Sequence, residues 1–191
     1  MEKLSRQLQA PDIPKRSYDE HHFVELKDGR IWALTRTLYG VGQSFSYDKG
    51  KTWSKAENSN LGGPSSRFFI GRLQSGNLLL VNHSGDEKVG TSTEFISLSD
   101  KKRCRLTAWL SDDDGLNWRG GLLLDERENV SYPDVCQSTT GSIYLIYDHE
   151  RHKLGEILLA RFSEKDILNG FNTSSEFYTK HLVDRTNGVK S

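Results

Sequence analysis

An all-β fold made of repeated antiparallel units is what this sequence predicts, on three observations. The first is an octet that occurs twice: Ser46-Tyr47-Asp48-Lys49-Gly50-Lys51-Thr52-Trp53 and Ser111-Asp112-Asp113-Asp114-Gly115-Leu116-Asn117-Trp118. The second is a strand, Gly-turn, strand pattern that recurs around Gly29, Gly76 and Gly141. The third is order, because in the first two units the same hairpin is followed by a further strand that runs into the octet. Several strands per period of about 40–60 residues are the mark of a propeller or other radial array. A β-sandwich also has short, evenly spaced strands, but it gives no reason for the hairpin-then-octet order to repeat.

Each element has a local reason. In the octet, Asp and Gly set a tight turn, since Asp bonds its own backbone and Gly accepts positive φ. The Ser or Thr hydroxyl bonds the same turn, and the Trp fills apolar space beside it. The hairpins are residues 23–34, with Asp28-Gly29 at the turn, residues 69–80, with Ser75-Gly76, and residues 134–147, with Thr140-Gly141. Apolar residues flank each turn in the alternation of half-buried strands. The third strands are residues 42–46 and 106–110, and residues 156–161 match them without an octet. Ser163 to Leu168 reads as one helical turn, with Ser163 as N-cap and Asp166 three residues on. Residues 1–17 read as an irregular lead-in, residues 18–191 as the domain, and the tail from Asn172 as the opening of a fourth unit.

Composition narrows the function classes. The 191 residues suffice for one domain with a core. Lys plus Arg and Asp plus Glu are both 26, so the formal net charge is zero. That gives no electrostatic basis for binding nucleic acid or an acidic membrane. No run reaches transmembrane length, and the first twenty residues contain no apolar signal core. Secretion would need a segment preceding Met1. Cys104 and Cys136 read as free and structural rather than as a disulfide framework or metal pair. No metal site or cofactor is expected, since His21-His22 is adjacent rather than spaced for one face.

The candidate chemistry lies at strand ends. Glu20, in Tyr18-Asp19-Glu20-His21-His22, is placed just before the first strand, and Arg36 ends the second. Arg103 and Arg105 open the strand 106–110, with alternation putting both on one face. Tyr132, in Ser131-Tyr132-Pro133-Asp134, enters the third hairpin at the position that matches Glu20 in its own repeat. Equivalent positions in successive units converge on one axis, so Glu20, Tyr132 and Arg67 are expected to share a pocket. His21 and His83 end hairpin elements, and Arg67 and Arg151 add charge near the same face.

The octets resemble the Asp-box of sialidases and related β-propeller proteins, with Ser46, Asp48, Gly50 and Trp53 in one copy and Ser111, Asp113, Gly115 and Trp118 in the other. The order of the candidate residues is similar to that family too. A carboxylate stands about sixteen residues before an arginine (Glu20, Arg36), and an arginine opens the strand Arg103-Cys104-Arg105-Leu106-Thr107-Ala108-Trp109-Leu110. A tyrosine precedes an aspartate ahead of a Gly-turn hairpin, as Tyr132-Pro133-Asp134, with Pro where the family has Ser. The resemblance covers residues 18–165. It implies a sialidase-like β-propeller, six-bladed in the family, of which this chain holds three to three and a half blades. It also implies an exo-α-sialidase type of glycoside hydrolase acting on sialoglycoconjugates.

By this resemblance Tyr132 is the nucleophile and Glu20 its base, with Arg36 and Arg103 binding the substrate carboxylate. Arg67, His21 and His83 complete the substrate-binding set. The family's further arginine, in an Arg-Ile-Pro-like motif, and its acidic loop have no counterpart here. Asp12 and Asp19 sit too close to Glu20 to replace them, and the missing blades are expected upstream or from a partner chain. Two rivals stand beside this reading. One is another carbohydrate-active enzyme on the same fold, in which a histidine pair serves a different acidic sugar. The other is a non-catalytic glycan-binding propeller, since Asp-boxes are structural.

Overall fold

The computed structural model describes residue 8 and residues 16–84 and 102–186. The lead-in expected over residues 1–17 falls almost wholly outside them. Residues 16–66 form one compact unit, and residues 67–84 with 102–186 form a second. Among the described residues the fold is all-β apart from one short helix, in three four-stranded antiparallel sheets.

The first unit holds one sheet, in the order β1 (Arg16–Glu25), β2 (Ile31–Thr37), β3 (Gly40–Ser46) and β4 (Glu57–Asn58). Asp28 builds the β1–β2 turn by accepting from the Arg30 backbone N–H at 3.0 Å and from its Nε at 2.6 Å. Strand β2 is buried along nearly its whole length on both faces, as a central strand should be. Trp32, Leu34 and Val41 supply much of this unit's apolar interior.

The octets behave as their residue types dictate. In the first, Ser46 Oγ donates to Asp48 Oδ1 at 2.9 Å and accepts from the Gly50 N–H at 2.7 Å. Asp48 in turn accepts from the Thr52 N–H at 2.8 Å and the Thr52 hydroxyl at 2.6 Å. The Thr52 hydroxyl, followed by its N–H, holds the Asp48 carboxyl down to about 2. In the second, Asn117 takes the place of Thr52 and donates its side-chain amide to Asp113 Oδ2 at 2.7 Å. Both turns pass through a left-handed pair, Lys49-Gly50 and Asp114-Gly115, so the second position favours a residue without a Cβ. Trp53 is buried and Trp118 half-buried beside their turns.

The second unit holds two sheets. One has the order β5 (Phe69–Arg72), β6 (Leu78–His83), β7 (Cys104–Ser111), β8 (Arg119–Glu128). The other is β9 (Val130–Gln137), β10 (Ile143–His149), β11 (Glu156–Phe162), β12 (Tyr178–Arg185). Their apolar faces share one core, to which Leu79, Leu110, Leu122, Leu145, Leu158 and Phe162 contribute. Complete burial of each such side chain is worth about 1.5–3 kcal/mol. Helix α1 (Glu164–Asn169) packs on β7 and β8 and inserts Ile167 into this core. It starts in the expected capping box, with Ser163 and Asp166 each bonding the other's backbone, and stops at Gly170 in the left-handed conformation.

Three expectations are corrected. The tail does not open a fourth unit: Tyr178–Arg185 pairs with β11 and completes the third sheet. Glu20 does not precede its strand but lies inside β1, where pairing with β2 is interrupted between Arg16 and His21. Arg103 and Arg105 do not simply alternate onto one face. Arg105 has φ 54°, and the β7–β8 register shifts between Cys104 and Leu106, so a bulge breaks the period there. Neither cysteine forms a disulfide, and Cys136 is exposed while Cys104 is half-buried.

Candidate functional site

Register places the Asp-boxes and the candidate residues at opposite ends of their sheets. In the first sheet Ile31 pairs with Ser46 at the box end, and Thr37 pairs with Gly40 at the other. In the second sheet Leu78 pairs with Ser111 at the box end, and His83 pairs with Leu106 at the other. The box turns therefore brace one end of each sheet, and the chemistry-bearing residues collect at the end away from them.

In the first unit that end holds Glu20, His21 and Arg36. Arg36 is 4% exposed and its guanidinium is engaged from several sides. Nη1 donates to Glu20 Oε2 at 2.6 Å, Nη2 to the Ser65 carbonyl at 2.8 Å, and Nε to Ser65 Oγ at 3.3 Å. The sixteen-residue spacing thus reports an ion pair between neighbouring strands. Such a pair is held firmly, because removing one partner strands the other's charge. His21 pairs across the strands with Thr35. Its buried Nδ1 and the buried Thr35 hydroxyl have no hydrogen-bond partner among the described residues.

In the second unit the same end holds Tyr132, Arg103, His83 and Arg67. Tyr132, like Arg105, is a strand residue there in the left-handed conformation. It lies in β9 with φ 56°, a conformation that costs a bulky L residue strain unless the surroundings enforce it. The enforcement is visible in the ladder. Asp134 pairs with Ile146 and Ser131 with Asp148, so Tyr132 and Pro133 together oppose Tyr147. This is a β-bulge, a device that re-aims a side chain. Pro133 suits it because it has no N–H to offer the ladder.

The surroundings of Tyr132 are polar and ordered. Asp148, only 6% exposed, accepts from Ser131 Oγ at 2.5 Å and from Arg151 Nε at 2.7 Å, with Arg151 Nη2 as a further donor. The Arg151 guanidinium lies over the Tyr132 ring, its carbon 3.7 Å from the ring centroid. His83, 3% exposed, directs Nε2 at the Val130 carbonyl at 2.9 Å, which makes Nε2 the protonated nitrogen. Its Nδ1 is buried without a partner among the described residues. Burial, with Arg103 adding repulsion, pushes the imidazole down to about 4, so it is neutral at pH 7. The Arg103 carbonyl accepts from the Val130 N–H at 3.2 Å, tying the start of β7 to the start of β9. Arg67 and Asp134 approach to 3.6 Å in a half-exposed pair.

Within the second unit the structure thus brings Tyr132, Arg103 and His83 to one rim. Glu20, His21 and Arg36 gather in the first. Reasoning from sequence gave Ser131 and Asp148 no role and took Arg151 only as added charge near the same face. The available signal was Asp148-His149-Glu150-Arg151, an acid at the end of an apolar strand and a base three residues on. A second polar network, in which Tyr147 and Arg127 bond Asp125 and His149 bonds Glu156, is internally satisfied and ties β8 to β10 and β11. No group of His, Cys, Asp and Glu suited to a metal occurs among the described residues.

Comparison with known proteins adds the fold and the family. The chain is similar to the solved structure of the Hadza microbial sialidase Hz136, at 17% identity and a TM-score of 0.51, over 84% of this chain and 34% of that one. It is also similar to the α-L-arabinofuranosidase Arb93A from Fusarium graminearum, at 15% identity and a TM-score of 0.55, over 98% of this chain and 53% of that one. The chain therefore spans about a third to a half of these structures. No curated protein matches the sequence. The fold class is the all-β propeller type that the repeats predict, present as three four-stranded sheets. Residues 7–145 match the model of the BNR repeat-like domain, and the chain belongs to that family.

Proposed function

We propose that this chain carries the reacting groups of a glycoside hydrolase that releases a terminal anionic sugar, sialic acid in the first instance. Tyr132 is the nucleophile and Glu20 its base. The observation that carries the reading is the Tyr132 bulge: a strained aromatic residue, aimed by the ladder and lying under the Arg151 guanidinium. Strain of this kind persists where function uses it. The similarity to a sialidase and an arabinofuranosidase supports a glycosidase reading in general.

The chemistry explains the residue types. Sialic acid bears a carboxylate on its anomeric carbon, which would repel a carboxylate nucleophile, whereas a neutral phenol avoids that repulsion. Tyr132 Oη bonds to the anomeric carbon as its proton passes to Glu20, and the glycosidic C–O bond breaks. From an aryl sialoside the leaving oxygen departs as the aryloxide, which takes up its proton from water. Water then attacks the anomeric carbon and the bond to Tyr132 Oη breaks; the water's proton leaves to solvent, and the proton held by Glu20 returns to the phenolate as the sugar is freed. Arg103 and Arg67 offer guanidinium groups to the sugar carboxylate. Arg36 holds Glu20 through Nη1 and is itself held by Ser65.

That engagement of Arg36 favours one second reading, a different acidic sugar whose carboxylate is met without Arg36. A single panel separates the two. The full-length protein is assayed on 4-methylumbelliferyl sialoside and 4-methylumbelliferyl glucuronide, as wild type and as Tyr132→Phe. The proposal expects sialoside turnover that falls about a thousandfold or more in the variant. Undiminished hydrolysis by Tyr132→Phe overturns the nucleophile, and turnover confined to the glucuronide overturns the sugar.

A further inference from the structure

We infer that Asp148 and Arg151 form a positioning device for Tyr132, a role that rests on the reading of Tyr132 as the reacting group. The device is a chain of contacts from a buried anchor to the ring. Asp148, at the end of β10, is 6% exposed and already accepts from Ser131 Oγ at 2.5 Å. A buried carboxylate with only one neutral donor is costly. Arg151 offsets that cost by donating Nε and Nη2 to Asp148 Oδ2. The geometry of that contact fixes the plane of the guanidinium, and the plane lies over the Tyr132 ring at 3.7 Å. Ser131 is the residue before Tyr132, so Asp148 grips the bulge from both sides, through the Ser131 hydroxyl and through the cation on the ring.

The need for such a device follows from the bulge. A residue at φ 56° at a register shift departs from the regular strand geometry that normally sets a side chain's direction. A nucleophile has to be held close to its attack geometry, because a displacement of about 1 Å can cost about 100-fold in rate. The cation–π contact supplies that restraint, and the Arg151 guanidinium also bonds the Tyr132 hydroxyl, so one side chain bears on both the ring and its oxygen. Lysine would substitute only in part, since it keeps the charge but has neither the fork nor the flat face.

The test uses the full-length protein labelled with 3-fluorotyrosine, in wild type, Arg151→Met, Arg151→Lys and Asp148→Asn. Tyr132→Phe identifies the Tyr132 resonance. The wild type should show one narrow fluorine line for Tyr132, broadened or split in the Met and Asn variants and only partly restored in the Lys variant. On 4-methylumbelliferyl sialoside, kcat should fall about 30- to 100-fold in Arg151→Met while KM changes less than about threefold. An unchanged Tyr132 line in Arg151→Met overturns the inference. So does a KM raised more than about tenfold at unchanged kcat, which would make Arg151 a substrate ligand. Full activity in Tyr132→Phe would sink the nucleophile assignment, while the fluorine spectra would still decide whether Arg151 holds the ring.

Discussion

Lowering the pH from 7.5 to 5.0 should destabilise the second unit through His83, and His83→Gln should remove that sensitivity. His83 is 3% exposed, bonds Val130 through Nε2, and has its protonation suppressed from 6.5 to about 4, first by burial and then by Arg103. The neutral form is therefore favoured in the folded chain. As the pH falls through 6.5 the unfolded chain takes up a proton that the folded chain refuses until about pH 4. Stability is thus full above pH 7, declines between about 6.5 and 4, and levels off below. At about 1.4 kcal/mol per pH unit the whole effect is about 3 kcal/mol, of which about 2 kcal/mol is lost by pH 5. The window is clean on its acid side. The carboxylates held low by their partners, such as Asp113 and Asp166, lose their stabilisation only as the pH falls below their own ordinary values near 4. The assay is urea unfolding at the two pH values, followed by circular dichroism. Glutamine keeps a donor for the Val130 carbonyl but does not titrate, so its loss should be at least about 1.5 kcal/mol smaller than the wild-type loss. Equal losses in the two proteins would refute the argument.

Two further predictions concern packing and the boxes. Gly120→Ala should destabilise by more than about 2 kcal/mol, since φ is 87° and an added Cβ would meet the Ile167 carbonyl oxygen at 2.2 Å. Gly76→Ala, with φ 89° and open space around it, should cost only about 1 kcal/mol; similar urea midpoints for the two would contradict this. Asp113→Ala removes the acceptor of the Ser111 hydroxyl, the Asn117 N–H and the Asn117 amide, and should cost about 1–3 kcal/mol. Because the box stands at the sheet end away from His83 and Arg103, KM for a sialoside should stay within about twofold; a large rise in KM would mean the boxes shape the site.

What was legible in the sequence was what is local. Asp28-Gly29 builds its turn with Arg30, the Asp-box closes on itself within eight residues, and Ser163 with Asp166 caps a helix by bonds three residues apart. The pairing of Glu20 with Arg36 was legible as a spacing, although its consequence, a buried and occupied guanidinium, was not. What escaped depends on partner strands. Nothing within Cys104–Ser111 announces that Arg105 turns left-handed; that follows from how β7 meets β8. Tyr178–Arg185 carries five exposed residues in succession and no alternation, so its place as the outer strand of the third sheet comes only from pairing with β11. Pro133 signalled an edge strand or a bulge, and β9 is both, while Asp148 became visible as an anchor only once β9 and β10 were in register.

The central claim is that Tyr132 forms the bond to the sugar. The most direct measurement is mass spectrometry of the full-length protein after reaction with a 2,3-difluorinated sialic acid, whose anomeric fluoride leaves readily and whose second fluorine slows hydrolysis of the adduct. The account predicts a single glycosylated peptide with the mass added at Tyr132, absent in Tyr132→Phe. An adduct on Glu20 or another side chain, or turnover of the sialoside with no adduct formed, would contradict it.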